Sequence, residues 1–262
     1  MQLFDSHCHF DFDAFDGDRP QVWQRCRDAG VERMIIPGVS EPRWSTLFEL
    51  VKGEPGWYAA VGLHPWWVAE AEMEPVQLQR DLAQQIAAAQ LQGNPCVAIG
   101  ECGLDGAIVT PLTDQEPHFR AQLALAAELD LPLIVHACRC HSDMLRLLKE
   151  YRPARGGVIH AFSGSEEIAR DYWQLGFCLG AGGTITYERA AKTRRAFAAL
   201  PLEAVLLESD APDMPLAGRQ GQRNSPEYLP LIAAELATLR GISIEQVAEQ
   251  TRLNTERLFA LQ

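Results

Sequence analysis

Short runs of β-branched or apolar residues alternate along the whole chain with longer stretches in which apolar positions recur every three or four residues. The runs predict eight strands, over 3–9, 33–39, 57–63, 96–102, 133–137, 157–160, 176–180 and 205–210. The periodic stretches predict helices, among them 20–29, 77–92, 117–129, 143–151, 166–175 and 190–200, with two more at 226–239 and 244–261. Eight strand-helix repeats in 262 residues have the length and order of an α/β fold of one kind, a single (β/α)8 TIM barrel. The parallel strands of such a barrel read as nearly continuous apolar runs. A doubly wound sheet would carry a glycine-rich turn after its first strand, whereas HCHFDFDAF occupies 7–15. No repeat, charge block or Pro/Ser linker divides the chain, so one domain over 1–262 is expected.

Composition narrows the class. Apolar residues make up 47% and charged residues 22%, which excludes disordered, collagen-like and low-complexity chains. No stretch approaches the roughly 18 uncharged apolar residues of a membrane span. Asp5, Asp11 and Asp13 stand where a signal peptide would be basic and then apolar. A cytoplasmic protein without membrane association is expected. With 23 basic and 35 acidic residues the net charge is -12, and such a surface repels a phosphate backbone unless something local reverses the field. Sequence-specific duplex binding is thereby disfavoured. Seven cysteines, an odd number, fit reduced thiols. Cys138 and Cys140 flank Arg139, with His141 next, but one CxC lacks the paired spacing of a structural zinc site.

The polar residues that interrupt the strands do so at one end. His7 and His9 finish the first strand and His64 follows the third; Glu101, His136, His160 and Asp210 close the fourth, fifth, sixth and eighth. In a barrel these ends share the face that carries active sites. His7 and His9, two apart in a strand, point the same way with Cα atoms roughly 6.6 Å apart, a relation in which two imidazoles share one ion. Nitrogen and oxygen donors without thiolate suit Zn²⁺, Mn²⁺, Fe²⁺ or Mg²⁺. Four histidines and two carboxylates exceed the needs of one open catalytic ion, so two divalent ions are expected, with one carboxylate between them. Glu101 is the candidate bridge, because its strand lies between the strand-one histidines and those of strands five and six. None of the three lysines, Lys52, Lys149 and Lys192, lies at a strand end to bridge as a carbamate.

The segments DSHCHFD (5–11), VGLHP (61–65), IGECGLD (99–105), IVHA (134–137), IHAFSGS (159–165), GGTITY (182–187) and LLESDAPDMP (206–215) span the chain. Together they resemble the TatD family of metal-dependent hydrolases and deoxyribonucleases within the amidohydrolase-like barrels. GGTITY, ESDAPDMPLAG and RNSPE (223–227) are similar to its YjjV-type branch. The resemblance implies that His7, His9, Glu101 and Asp210 hold one metal and that Glu101, His136 and His160 hold the other. Two departures bear on substrate and leave that set intact. Gly106, Ala107 and Ile108 follow Asp105 where the family usually has an aromatic, and Cys138 stands where an Arg is common, with Arg139 next.

The leading reading is a metal-dependent phosphodiesterase or deoxyribonuclease acting on single-stranded DNA ends or small nucleotides through water activated by two metals. Asp210 would orient the water and act as general base while Glu101 fixes the metal separation. The ions would neutralise phosphate where the acidic surface does not. His64 and Arg139 are candidate substrate contacts. Asn224, with Pro226, shapes the loop after the last strand, substrate contact being its second reading. Trp66 and Trp67 are read as a packed loop, stacking a base or lining the rim being their second reading, and His118 and His141 as surface or helix residues. The zinc, magnesium and manganese ions are not distinguished, and no obligatory protein partner is evident. The alternatives are a metal-dependent amide or lactone hydrolase on the same site, since fold does not fix function, and a non-catalytic metal-binding barrel.

Overall fold

The computed structural model describes residues 1–261. Its eight strands lie in one sheet in chain order, β1 to β8, and the ladders are parallel. Chain-order neighbours joined by helices are the (β/α)8 connectivity expected from the sequence. By internal packing the chain forms two compact units, Met1–Ile36 with His160–Gln262, and Pro37–Ile159.

The first unit contains β1 (Leu3–Asp5), α1 (Arg19–Asp28) and most of β2 (Val31–Gly38). After His160 come α6 (Glu166–Gln174), β7 (Phe177–Ala181), α7 (Ala191–Ala199), β8 (Val205–Leu207), α8 (Leu229–Arg240) and α9 (Ile244–Phe259). Strands β1, β7 and β8 are buried at every residue, as strands covered on both faces must be. Helix α8 stops at Gly241, which takes a left-handed conformation (φ 65°). Helix α9 starts two residues later in a capping box between Ser243 and Gln246. Its buried face brings Asn254 under β8, where the amide nitrogen donates 2.8 Å bonds to the Leu202 and Val205 carbonyls.

The second unit holds α2 (Glu41–Val51), β3 (Trp57–Val61), α3 (Pro75–Leu91), β4 (Ile99–Asp105), α4 (Leu112–Glu128), β5 (Leu133–Cys138), α5 (His141–Tyr151) and β6 (Gly157–Ile159). Helix α4 begins five residues before the predicted start. Pro117, read as the first helical position, lies inside it, where the break its missing N–H makes in the ladder is tolerated. Helix α2 was absent from the predicted set. All seven cysteines are free, and six are buried. No described helix is long and apolar enough to cross a membrane.

The ladders end elsewhere than the sequence suggested. β1 stops at Asp5 and β8 at Leu207, so His7, His9 and Asp210 lie beyond the paired residues. β4 instead begins at Ile99 and runs to Asp105, which puts Glu101 inside the strand. The reason is an irregularity between Ile99 and Cys102, where the register against β5 shifts before Gly103 pairs with His136 and Asp105 with Cys138. Gly100 and Gly103 both have φ near 142°, and a Cβ on Gly103 would lie 2.1 Å from the His136 carbonyl oxygen. Only glycine permits this approach. Gly103→Ala is therefore expected to cost about 3 kcal/mol or more in urea unfolding, from backbone strain and overpacking together. Gly53→Ala, also at positive φ but with open space around it, should lose only about 1–2 kcal/mol.

Candidate metal centre

In the first unit the segments after β1, β6 and β8 gather His7, His9, His160 and Asp210. The carboxylate of Asp5 organises them, with Oδ1 accepting the His7 N–H at 3.2 Å and the Ser209 N–H at 2.9 Å. One buried group thus fixes the backbone two residues before His9 and one before Asp210, and burial pushes its carboxyl up to about 7. The Asp210 N–H donates to the His7 carbonyl at 2.9 Å and the His9 N–H to the Ala211 carbonyl at 2.8 Å, stitching the two segments beyond their strands.

The side chains converge. His7 Nε2 lies 3.2 Å from His9 Nε2, and Asp210 Oδ1 lies 3.5 and 3.7 Å from these two nitrogens. The His160 ring stacks on His7 with centroids 4.0 Å apart. His7, His160 and Asp210 also offer ligand atoms within 4.8 Å of one another. A tetrahedral ion with bonds of about 2.0–2.1 Å has donor separations of roughly 3.4 Å, and the three observed distances bracket that value. The donors are imidazole and carboxylate, as expected from the sequence, and they fit a divalent cation.

His160 is held by a residue that the sequence reading passed over. Ala161 has a positive φ of 46°, a conformation unfavourable for alanine, and its N–H donates to the buried Glu208 carboxylate. Glu208 has room because position 180 is glycine; a Cβ there would fall 2.1 Å from Oε2. The signal was a carboxylate at the end of the apolar run VLLE, two residues before Asp210 on the same strand period.

The second unit places Glu101 among two histidines. Glu101 Oε1 lies 3.2 Å from His64 Nε2 and 3.2 Å from His136 Nδ1, and the carboxylate is buried. His64 Nδ1 accepts the Trp66 N–H at 3.1 Å, which places its proton on Nε2, facing Glu101. His64 therefore serves as a donor that orients Glu101. His136 has the opposite arrangement. Its Nε2 lies 3.0 Å from Asp105 Oδ2, so the proton sits there and the Nδ1 lone pair is turned toward Glu101. A lone pair and a carboxylate oxygen at 3.2 Å call for a cation between them. Without a metal that cation is a proton; burial lowers the His136 pKa, but Asp105 and Glu101 outweigh it and raise it to about 9.

Asp105 is the second residue missed. Burial raises its pKa, but hydrogen bonds from His136, from the Trp66 indole at 2.8 Å and from the Ala107 N–H at 2.7 Å outweigh it and hold the carboxyl well below the usual range. A carboxylate behind the far nitrogen of a ligating histidine fixes ring and tautomer. Its sequence signal was the last letter of IGECGLD, read only as part of the resemblance.

Of the remaining candidates, Arg139 follows β5 and is exposed, with φ 53°. Asn224 is 1% exposed; its amide donates to the Ser209, Asp213 and Met214 carbonyls and its oxygen accepts the Ser225 N–H. It shapes the loop after β8. Cys138, at the end of β5, has ligand atoms of Asp105 and His136 within 4.8 Å. His118 bonds through its ring to the Met73 and Asp114 carbonyls, as a helix residue. Trp66 is 54% exposed, against the packed loop expected.

Two outcomes follow for metal binding. Asp105→Ala should fold but bind Zn²⁺ about 10- to 100-fold more weakly by calorimetry. Because the ion displaces a proton from His136, affinity at that site should climb roughly tenfold per pH unit toward pH 9 and level off above it. Calorimetry in buffers of different ionisation enthalpy should register the released proton, and a pH-independent affinity would remove the assignment.

Comparison with known proteins covers the whole chain. The family described as TatD related DNase matches residues 4–260. The uncharacterized metal-dependent hydrolase YjjV of Escherichia coli K12 is 40% identical over 98% of each chain. Its crystal structure superposes with a TM-score of 0.92, covering 99% of this chain and 98% of that one. A 3'-5' ssDNA/RNA exonuclease TatD of Pantoea vagans is 34% identical over 99% of this chain and all of its own. An organophosphorus hydrolase from Deinococcus radiodurans, 16% identical over 98% of this chain and 92% of its own with a TM-score of 0.68, shares the barrel fold alone. The chain belongs to the TatD family and is a metal-dependent hydrolase with the (β/α)8 fold.

Proposed function

We propose that this hydrolase cuts phosphodiester bonds at single-stranded DNA or RNA ends, or in small nucleotides, with two divalent ions, and that its two units act as one catalytic domain over 1–262. The carrying observation is the convergence of His7, His9 and Asp210 at 3.2–3.7 Å, the separation of ligands around one ion. On this reading His7, His9, Glu101 and Asp210 hold one ion, and Glu101, His136 and His160 the other. The relative named as a single-stranded DNA/RNA exonuclease supports the substrate class, since it matches this chain from end to end.

Bound divalent ions supply a lowered water pKa and positive charge against the phosphate oxygens. The chain does the rest. Asp210, in a left-handed conformation (φ 54°) and fixed through its N–H to the His7 carbonyl, orients the attacking water and takes its proton on a carboxylate oxygen. Glu101, held by the His64 Nε2–H, would fix the separation of the two ions. Arg139, exposed after β5, is the proposed bidentate donor to a phosphate oxygen. His64 acts on substrate through Glu101. Zinc, magnesium and manganese all suit the donor set. The absence of a spanning helix agrees with action away from the bilayer, and we place the enzyme in the cytoplasm.

Metal-free protein resupplied separately with Mg²⁺, Mn²⁺ or Zn²⁺ should release product from a labelled single-stranded oligonucleotide, and Glu101→Ala should not. Asp210→Asn is expected to retain most of its metal by elemental analysis yet lose about 10²-fold or more in kcat. Undiminished turnover in Asp210→Asn would remove the general-base role. Turnover of amides or lactones with none of the oligonucleotide would replace the substrate class.

A further inference from the structure

Trp66 is bound at both of its nitrogens and still open to solvent. It sits in the single 3-10 turn Pro65–Trp67 that follows β3. Its backbone N–H is spent on His64 Nδ1, and its indole Nε1–H is spent on Asp105 Oδ2 at 2.8 Å. The His64 ring meets it edge-on at 5.3 Å, and Trp67 lies beside it at 6.2 Å. The indole is therefore immobilised by a charge-assisted bond to a buried carboxylate, yet 54% of the residue surface is exposed. Folding alone gives no reason to hold a large apolar ring rigidly in water, because that leaves its surface unburied and its rotamers restricted. A rigid, half-bare aromatic is what a stacking partner requires.

Its position selects the partner. The carboxylate oxygen that anchors the indole also receives His136 Nε2 at 3.0 Å, and His136 Nδ1 lies 3.2 Å from Glu101. The ring is thus one carboxylate away from His136, a metal ligand on the reading above. It is also uncharged on a chain of net charge -12, so it attracts through its face where the surface charge opposes nucleic acid. Every nucleobase has a π-face, and stacking on an aromatic tolerates any sequence. Resting on the reading above, we propose that Trp66 is the platform on which a nucleobase flanking the scissile phosphodiester stacks.

The test compares the parent protein, Trp66→Ala and Trp66→Phe, each loaded with Zn²⁺. The probes are a fluorescein-labelled single-stranded oligothymidylate and the same strand with abasic residues at its 3′ end. Anisotropy in the first turnover gives binding, product release gives kcat and KM, and calorimetry gives Zn²⁺ affinity. At saturating Zn²⁺, set by calorimetry for each variant because both also lose the indole bond to Asp105, Trp66→Ala should bind the full oligonucleotide roughly five- to hundredfold more weakly. Trp66→Phe, which keeps a ring, should lose much less. On the abasic strand the parent and Trp66→Ala should bind alike. Equal binding of the full strand by both, an equal penalty on both strands, or no binding by the parent would overturn the proposal. Binding with the expected pattern but no cleavage would uphold the platform and overturn the phosphodiesterase reading instead.

Discussion

Electron-rich atoms held face to face are the constraint around which the site is arranged. Two imidazole nitrogens and a carboxylate oxygen at 3.2–3.7 Å repel one another unless a proton or a metal cation lies between them. Side chains free to rotate would separate, so the backbone on each side must be fixed first. Asp5 does this for the segments after β1 and β8 by accepting both of their N–H groups. Glu208 does it after β6 by holding the N–H of Ala161. In the second unit Asp105 turns His136, and His64 turns Glu101. Each candidate metal ligand is thus backed by a buried polar group with a defined hydrogen bond, the condition under which buried charge is tolerated.

The candidate ligands stood out in the sequence because an isolated His, Glu or Asp at the edge of an apolar run is conspicuous, and because eight such runs dictate that their ends gather. The supporting residues were less legible. Glu208 and Asp105 lie in the same short segments as the ligands, and nothing in the alternation says which carboxylate faces the ion and which stands behind a histidine. The register shift in β4 hid the true place of Glu101, since a run of buried residues gives no sign of where pairing slips. Glycines at 100 and 103 were the available clue. The exposure of Trp66 was also out of reach: a tryptophan after a strand reads as packing, and only the geometry of Asp105 shows what holds it outward.

Acidic excess and arginine use are related. Arg120 pairs with Glu116 and Glu150, Arg146 with Glu116, Arg194 with Glu235, and Arg223 with Asp18 through two bonds. Such exposed pairs add little stability singly, but they leave few guanidinium groups to attract a phosphate chain. On the proposed function, positive charge for the substrate comes from ions at the candidate ligand set, which confines attraction to that place. A surface of this kind disfavours nonspecific adhesion to duplex nucleic acid.

Position 180 carries a mutational consequence. The space a methyl group would need there is filled by the Glu208 carboxylate, 2.1 Å from where the new carbon would stand. Any side chain entering at 180 by mutation must displace that carboxylate, and with it the anchor beneath Ala161. A change at 180 is therefore also a change in how Glu208 is held.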